Sequence, residues 1–271
     1  MQDHLNIQVW SDNLSDIVRL SCTFACDSHW LLREFPVNVC NDVWCGQVSN
    51  TNVVVGGRRG AVCFMDAERD EYIRLRRDSD VFSLSFQDQL LYIGMRSGAI
   101  ERWDLRQPYS NPDVIVNMTL KPGTTGGAPV QHLRTIHGYG LLVETMRGDL
   151  EVHDLRYQKE QTPLLQLSGH VSSYEHRLGL AVDSGENFVF AGGGDSRLRG
   201  WSLRTGQALH SDSIQDAMNA PPHLMTRPFL KTFSHPIRAL EFLEDEKKTY
   251  LWLASDKFLH KVVLGPNNVF R

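Results

Sequence analysis

One pattern recurs along this chain and leaves few folds open to it. An apolar run is followed by a tight turn bearing Gly or Asp, a second apolar run, and then Asp-Leu-Arg or a variant of it. Clear copies run from Gly56 to Asp66, Gly94 to Arg106, Thr145 to Arg156 and Gly192 to Arg204. A weaker copy covers Ala254 to Leu264, and a partial one His4 to Asp12. The clear copies begin roughly forty to fifty residues apart. A unit of that size cannot bury its own apolar face and must stack on its neighbours.

Within each copy the runs are strand-like. Val53-Val54-Val55, Leu90-Leu91-Tyr92-Ile93 and Phe188-Val189-Phe190-Ala191 are short apolar stretches bounded by turn residues. Gly60, Gly98 and Gly148 stand where the second strand of a copy turns into the third, a place that favours positive φ. A first strand precedes the repeat at Val81 to Phe86, Gln131 to Ile136 and Ile237 to Phe242. Fourth strands are expected at Tyr72 to Leu75, Val114 to Met118, Leu164 to Leu167 and Gln207 to His210. Repeated four-strand units of this period predict an all-β propeller of six or seven blades in one domain, residues 1–271. Asn6 to Trp10 is expected as a third strand and Ile17 to Phe24 as a fourth that closes the ring near Lys261 to Leu264. On that reading residues 1–25 form a partial blade that begins inside the fold, with an N-terminal part missing. The stretch Ser211 to Pro228, with Pro221-Pro222, is the longest without strand pattern and is expected as a loop.

Composition removes several function classes. The formal charge of -4 gives no basic footprint for nucleic acid. The opening MQDHLNIQVW lacks a basic segment followed by an apolar core, and no apolar run approaches the ~20 residues that span a bilayer. The expected compartment is nucleus or cytoplasm. Cys22, Cys26, Cys40, Cys45 and Cys63 are odd in number and lie in strand-like runs, so buried thiols are expected rather than disulfides or a zinc site.

Three sets of residues carry a resemblance. Trp103-Asp104-Leu105-Arg106, Gly169-His170 and Trp201 resemble the WD-repeat family. In that family the His, the turn Asp and the Trp share a hydrogen-bond network inside a blade, which implies a structural role for His170, Asp195 and Trp201. Arg106, Arg156 and Arg204 follow Asp-Leu, or Ser-Leu, in three consecutive copies. This resembles the WDxR signature of the DDB- and cullin-4-associated factors, substrate receptors of cullin-4 ubiquitin ligases. The copies depart from it at Ser97, Arg102, His153 and Ser202. The resemblance implies that Trp103, Asp104, Arg106, Asp154, Arg156 and Arg204 form a rim that docks the DDB adaptor of cullin-4. Equally, each Arg can pair with Asp104 or Asp154 and hold its turn. A WD-repeat scaffold of another assembly, in ribosome biogenesis or chromatin, is the alternative function.

The turns on the opposite edge carry Arg58, Arg59, Arg96, Arg147 and Arg197, a candidate face for an acidic or phosphorylated client segment. No nucleophile elbow, phosphate loop or H-E-x-x-H motif occurs. Gly192-Gly193-Gly194 is followed by no helix pattern, and His132, His137, His170 and His176 have no metal spacing. The expectation is a non-enzyme with no cofactor and no metal. Its partners would be proteins (the adaptor complex and a client), without membrane, nucleic acid or a second copy of itself.

Overall fold

The computed structural model describes residues 42–49, 52–65, 71–107, 111–120, 128–157, 162–209, 228–245 and 248–266, and the backbone of three earlier strands. Six sheets are present among them, each in simple meander order. The first holds β1 (Asn6–Ser11), β2 (Ile17–Thr23) and β3 (Trp30–Pro36). The second holds β4 (Cys45–Ser49), β5 (Asn52–Gly57), β6 (Gly60–Phe64) and β7 (Tyr72–Arg76). The third holds β8 (Val81–Gln87), β9 (Leu90–Met95), β10 (Ala99–Asp104) and β11 (Asp113–Asn117). The fourth holds β12 (Val130–Ile136), β13 (Gly140–Thr145), β14 (Leu150–Asp154) and β15 (Leu165–Gln166). The fifth holds β16 (Leu180–Val182), β17 (Phe188–Gly192) and β18 (Leu198–Ser202). The sixth holds β19 (Ile237–Glu244), β20 (Lys248–Ser255) and β21 (Phe258–Pro266).

The chain divides into two compact units, Met1–Leu141 with Leu155–Gln161 and Leu142–Asp154 with Thr162–Arg271. In the first unit, Val54, Leu75, Leu84, Leu91, Ile93 and Trp103 belong to one buried cluster. In the second, Phe190, Leu198, Phe233, Ile237, Leu251 and Leu253 do the same. β5 is buried at every residue, which explains its unbroken Val53-Val54-Val55: a strand covered on both faces has no polar side to alternate with.

Turn chemistry follows the sequence reading. Gly60, Gly98 and Gly148 have φ of +138, +90 and +105. At Gly60 a Cβ would stand 2.2 Å from the Leu75 carbonyl oxygen, so space as well as backbone angle requires glycine there.

The N-terminal expectation needs correction. β1 and β2 are the first two strands of their sheet, not a third and a fourth. β2 pairs with β1 on one side and β3 on the other, so both its hydrogen-bonding edges are filled and it has none left to close onto Lys261 to Leu264. The fourth strand at Gln207 to His210 shrinks to the single bridge Trp201↔Ala208. Asp66, Cys26, Cys40, Phe24, His210 and residues 211–227 lie outside the described residues.

Cys45 and Cys63 are free thiols. Burial pushes the Cys63 thiol up to about 12, because the thiolate would lose its hydration. No helix among the described residues is long and apolar enough to cross a membrane.

Candidate functional site

The Asp-Leu-Arg positions are equivalent in backbone as well as in sequence. The N–H of Leu105 donates to the Gln89 carbonyl (2.9 Å), that of Leu155 to Tyr139 (2.8 Å) and that of Leu203 to Asn187 (2.7 Å). In each case the Leu after the third strand is tied to the turn between the first and second strands of the same sheet. The Arg that follows is thereby delivered to that edge. In the first unit, the turns carrying Arg106 and Arg156 are also tied to each other. The Gln87 side-chain amide donates to the Gly138 carbonyl, and Thr135 Oγ1 donates to the Phe86 carbonyl at 2.9 Å.

Their side chains are held differently. Arg106 donates from Nε to Asp104 Oδ1 (2.8 Å) and from Nη2 to Oδ2 (2.6 Å), and its backbone N–H also reaches Oδ1 (3.0 Å). Those side-chain hydrogen bonds hold the Asp104 carboxyl below the usual carboxylate range. Arg156 is exposed, and its guanidinium lies 4.1 Å from the centre of the Tyr139 ring and 5.8 Å from that of Tyr157. His137 stacks on the same Tyr139 at 6.2 Å. At Arg204, Ser202 replaces the Asp, and its Oγ accepts the Arg204 N–H at 3.3 Å. A hydroxyl cannot take the two parallel bonds that Asp104 takes.

Trp103 is not on this surface. It is 6% exposed and packs in the first unit's core, with the Arg77 guanidinium 4.5 Å over its ring. Arg102, which departs from the signature, bonds Asp113 on β11 at 2.6 Å.

On the opposite edge, four of the five arginines have a side-chain partner within their own unit. In the first, Arg58 lies 3.7 Å from Asp42, Arg96 lies 3.4 Å from Asp80, and the Arg59 N–H donates to Asp80 Oδ1 at 3.2 Å. In the second, Arg147 pairs with Asp149 at 2.8 Å, and Arg197 Nε donates to Thr232 Oγ1 at 3.3 Å. The guanidinium groups of Arg58, Arg96, Arg147 and Arg197 each have a local acceptor that an incoming anion must displace.

The expected His170–Asp195 pairing is not made. His170 Nε2 bonds Glu144 Oε1 at 2.8 Å, deep in the second unit. Asp195 takes two bonds from Arg199, at 2.8 and 2.6 Å, which hold its carboxyl below the ordinary range. Arg199 stands four residues along the turning strand, within reach of the Asp, and a fixed guanidinium fork outbids an imidazole for both oxygens. Trp201 behaves as a structural residue: Nε1 donates to the Ser168 carbonyl at 2.9 Å, with the His170 ring edge-on at 6.2 Å. Beside it lies a cavity of about 270 Å³ walled by Leu198, Trp201, Leu209 and Phe229.

Asp183 gives the second unit a testable pH signature. Its Oδ1 accepts the Phe188 N–H at 2.6 Å, closing the turn before β17, and its side chain is buried. Desolvation raises its pKa, against the backbone hydrogen bonds that lower it. A pKa raised on folding contributes stability below the unfolded value, about 3.9, that is lost as pH rises through the folded value. Asp183→Asn is therefore expected to remove part of the fall in thermal midpoint above pH ~4, measured by circular dichroism against the parent chain.

No protein-family model matches the chain. Over 127 residues it is 32% identical to an uncharacterized WD repeat-containing protein of Caenorhabditis elegans, F47D12.9. That match takes in 47% of this chain and 22% of the worm protein, so the chain spans about a fifth of the length of the curated relative. In structure it is similar to the computationally designed Ika8 protein, with a TM-score of 0.57 and 16% identity over 95% of this chain and 71% of that one. It is also similar to a chain in the crystal structure of the Mitotic Checkpoint Complex, with a TM-score of 0.63 and 18% identity over 90% of this chain and 72% of that one. The fold is an all-β, propeller-type fold. Its sheets are blades in that sense, and the arginines at 106, 156 and 204 each follow the third strand of their own blade.

Tyr139 and Tyr157 were not among the residues singled out from the sequence. The available signal was an aromatic beside a glycine turn and another directly after the Arg. Neither points at the other until the backbone bond from Leu155 to Tyr139 is known.

Proposed function

We propose that this chain is a non-catalytic protein-interaction module, and that the blade edge bearing Arg106 and Arg156 docks the DDB adaptor of a cullin-4 ubiquitin ligase. The observation that carries the proposal is the Arg156 guanidinium, exposed and set between Tyr139 and Tyr157 on an edge tied by hydrogen bonds to the Arg106 turn. Tyr and Arg dominate interface hot spots because they combine large contact area with few rotamers to freeze. The sequence resemblance supplies the adaptor's name, and the module itself would act by holding a client near the ubiquitin-loaded enzyme.

The two arginines should respond differently. Arg156→Ala is expected to weaken adaptor binding at least ~10-fold, measured by calorimetry or by recovery of adaptor and cullin-4 with the tagged chain. Arg106→Ala should weaken it less and instead loosen the turn that Asp104 closes. Thermal unfolding of both variants separates lost contact from lost fold. Unchanged adaptor recovery with Arg156→Ala, or no recovery with the parent chain, rejects the reading. The scaffold alternative predicts other partners captured through the same edge.

A further inference from the structure

The third sheet carries a polar row across all four of its strands, and the row ends at the turn that holds Tyr139 against Arg156. Register sets Asp113 on β11 opposite Arg102 on β10, Arg102 opposite Tyr92 on β9, and Tyr92 opposite Ser85 on β8. Residues directly opposite on neighbouring strands share a face of the sheet. Ser85 passes the row on to β12, where its Oγ accepts the Thr135 N–H at 2.9 Å. Gln87 lies two residues beyond Ser85, on the same face of β8. Its amide makes two bonds: Oε1 accepts from the Tyr92 hydroxyl at 3.2 Å, and Nε2 donates to the Gly138 carbonyl. Every residue in this row and at its end belongs to the first unit.

Donor and acceptor chemistry forces one direction on the row. The Arg102 guanidinium has only donors, and one goes to Asp113 Oδ2 at 2.6 Å. Another goes to the buried Tyr92 hydroxyl: burial raises the pKa of that phenol, while the charge of Arg102 and the hydrogen bond from it pull the other way. With its oxygen accepting from Arg102, Tyr92 gives its one proton to Gln87 Oε1. The amide NH2 is thereby turned towards Gly138, whose carbonyl can only accept. A flipped amide would set oxygen against oxygen.

The Gly138 carbonyl sits in the turn that places Tyr139. His137 and Gly138 are the central pair of the β12–β13 turn, with φ of +51 and +69, and the Tyr139 N–H closes it on the Ile136 carbonyl at 3.3 Å. The Tyr139 carbonyl accepts from Leu155, and its ring centre lies 4.1 Å from the Arg156 guanidinium. On the other side, Gln89 stands two residues after Gln87 and accepts the Leu105 N–H at the root of the Arg106 turn. One side chain thus links the two turns that carry Arg106 and Arg156.

We propose that Gln87 is a positioning residue for this edge: it holds the Tyr139–Arg156 stack in place relative to Arg106, and Arg102 and Tyr92 fix the direction of its amide. The proposal rests on the reading of the edge as the adaptor's docking surface. It adds to that reading the reason why arginines on two separate blades act as one surface.

Two measurements test this. In NMR spectra of the whole chain alone, the Arg156 side-chain resonances, assigned by their loss in Arg156→Ala, report ring stacking as an upfield shift. Gln87→Met keeps the length of the side chain and removes both bonds, and Gln87→Glu sets an acceptor against the Gly138 carbonyl. Both should lose most of the upfield shift, and Tyr92→Phe, which frees the amide to turn, a smaller part of it. Calorimetry with the adaptor is the second measurement. Gln87→Met should raise Kd about 5-fold in the parent chain and less than ~2-fold on an Arg156→Ala background, where the group that Gln87 positions is already gone. Thermal unfolding confirms that each variant keeps its fold. An Arg156 shift unchanged in both Gln87 variants overturns the proposal, whether or not the adaptor binds. So does a Gln87→Met effect on Kd of equal size with and without Arg156, the mark of a general loosening. A parent chain that binds no adaptor rejects the docking reading instead, and the spectra of the chain alone still decide the role of Gln87.

Discussion

Arg77→Ala lowers the stability of the chain by about 3–5 kcal/mol, read as a shift of its urea transition at constant slope. Glu101 is the reason. It sits on β10 at 7% exposure, and Arg77 Nε bonds its Oε2 at 2.5 Å. The same guanidinium covers the Trp103 ring at 4.5 Å. Truncation strips the buried carboxylate of its half-buried cation and opens the ring to water at one stroke. Arg77→Lys keeps a charge but loses the planar fork and the stack, so it should fall between parent and alanine. The decisive comparison is Arg77→Leu combined with Glu101→Leu. Removing both charges leaves nothing buried and unpaired, and most of the lost stability should return. A double variant as weak as the alanine variant would show that the stack on Trp103, and not the ion pair, carries the effect.

The second large effect is expected at Trp201. Its side chain is 1% exposed, and its indole N–H satisfies the Ser168 carbonyl at 2.9 Å. Trp201→Ala should cost about 3–5 kcal/mol through lost burial and a cavity next to Leu198 and Leu209. Trp201→Phe keeps most of the volume and gives up the hydrogen bond, so about 1–3 kcal/mol is expected. If the phenylalanine variant were as damaged as the alanine one, the bond to Ser168 would outweigh the packing. Both variants are compared with the parent chain on the same urea transition.

The blade strands were legible because their signals are local. Val81 to Phe86, Phe188 to Ala191 and Ile237 to Phe242 are runs whose own composition favours an extended, buried chain, and each is a strand at nearly those bounds. Gly60, Gly98 and Gly148 marked their turns because a backbone angle is a property of one residue. The closing strand was misplaced for the opposite reason. Ile17 to Thr23 has an ordinary strand composition, and nothing in it says which of several similar strands will fill its two edges.

At the site, the sequence determined which positions carry arginine and that these positions repeat. It could not determine what each guanidinium meets. Arg106 finds a carboxylate two residues back and Arg156 finds a tyrosine on another turn, while at Arg204 it is the backbone N–H that meets the Ser202 hydroxyl. His170 and Asp195 were read as partners and went to Glu144 and Arg199 instead. Repeat period, strand pattern and turn glycines are written in the covalent order of the chain, so they survive without coordinates. Hydrogen-bond partners are decided by which acceptor lies within about 3 Å once the sheets have packed, and only the tertiary structure brings those atoms together.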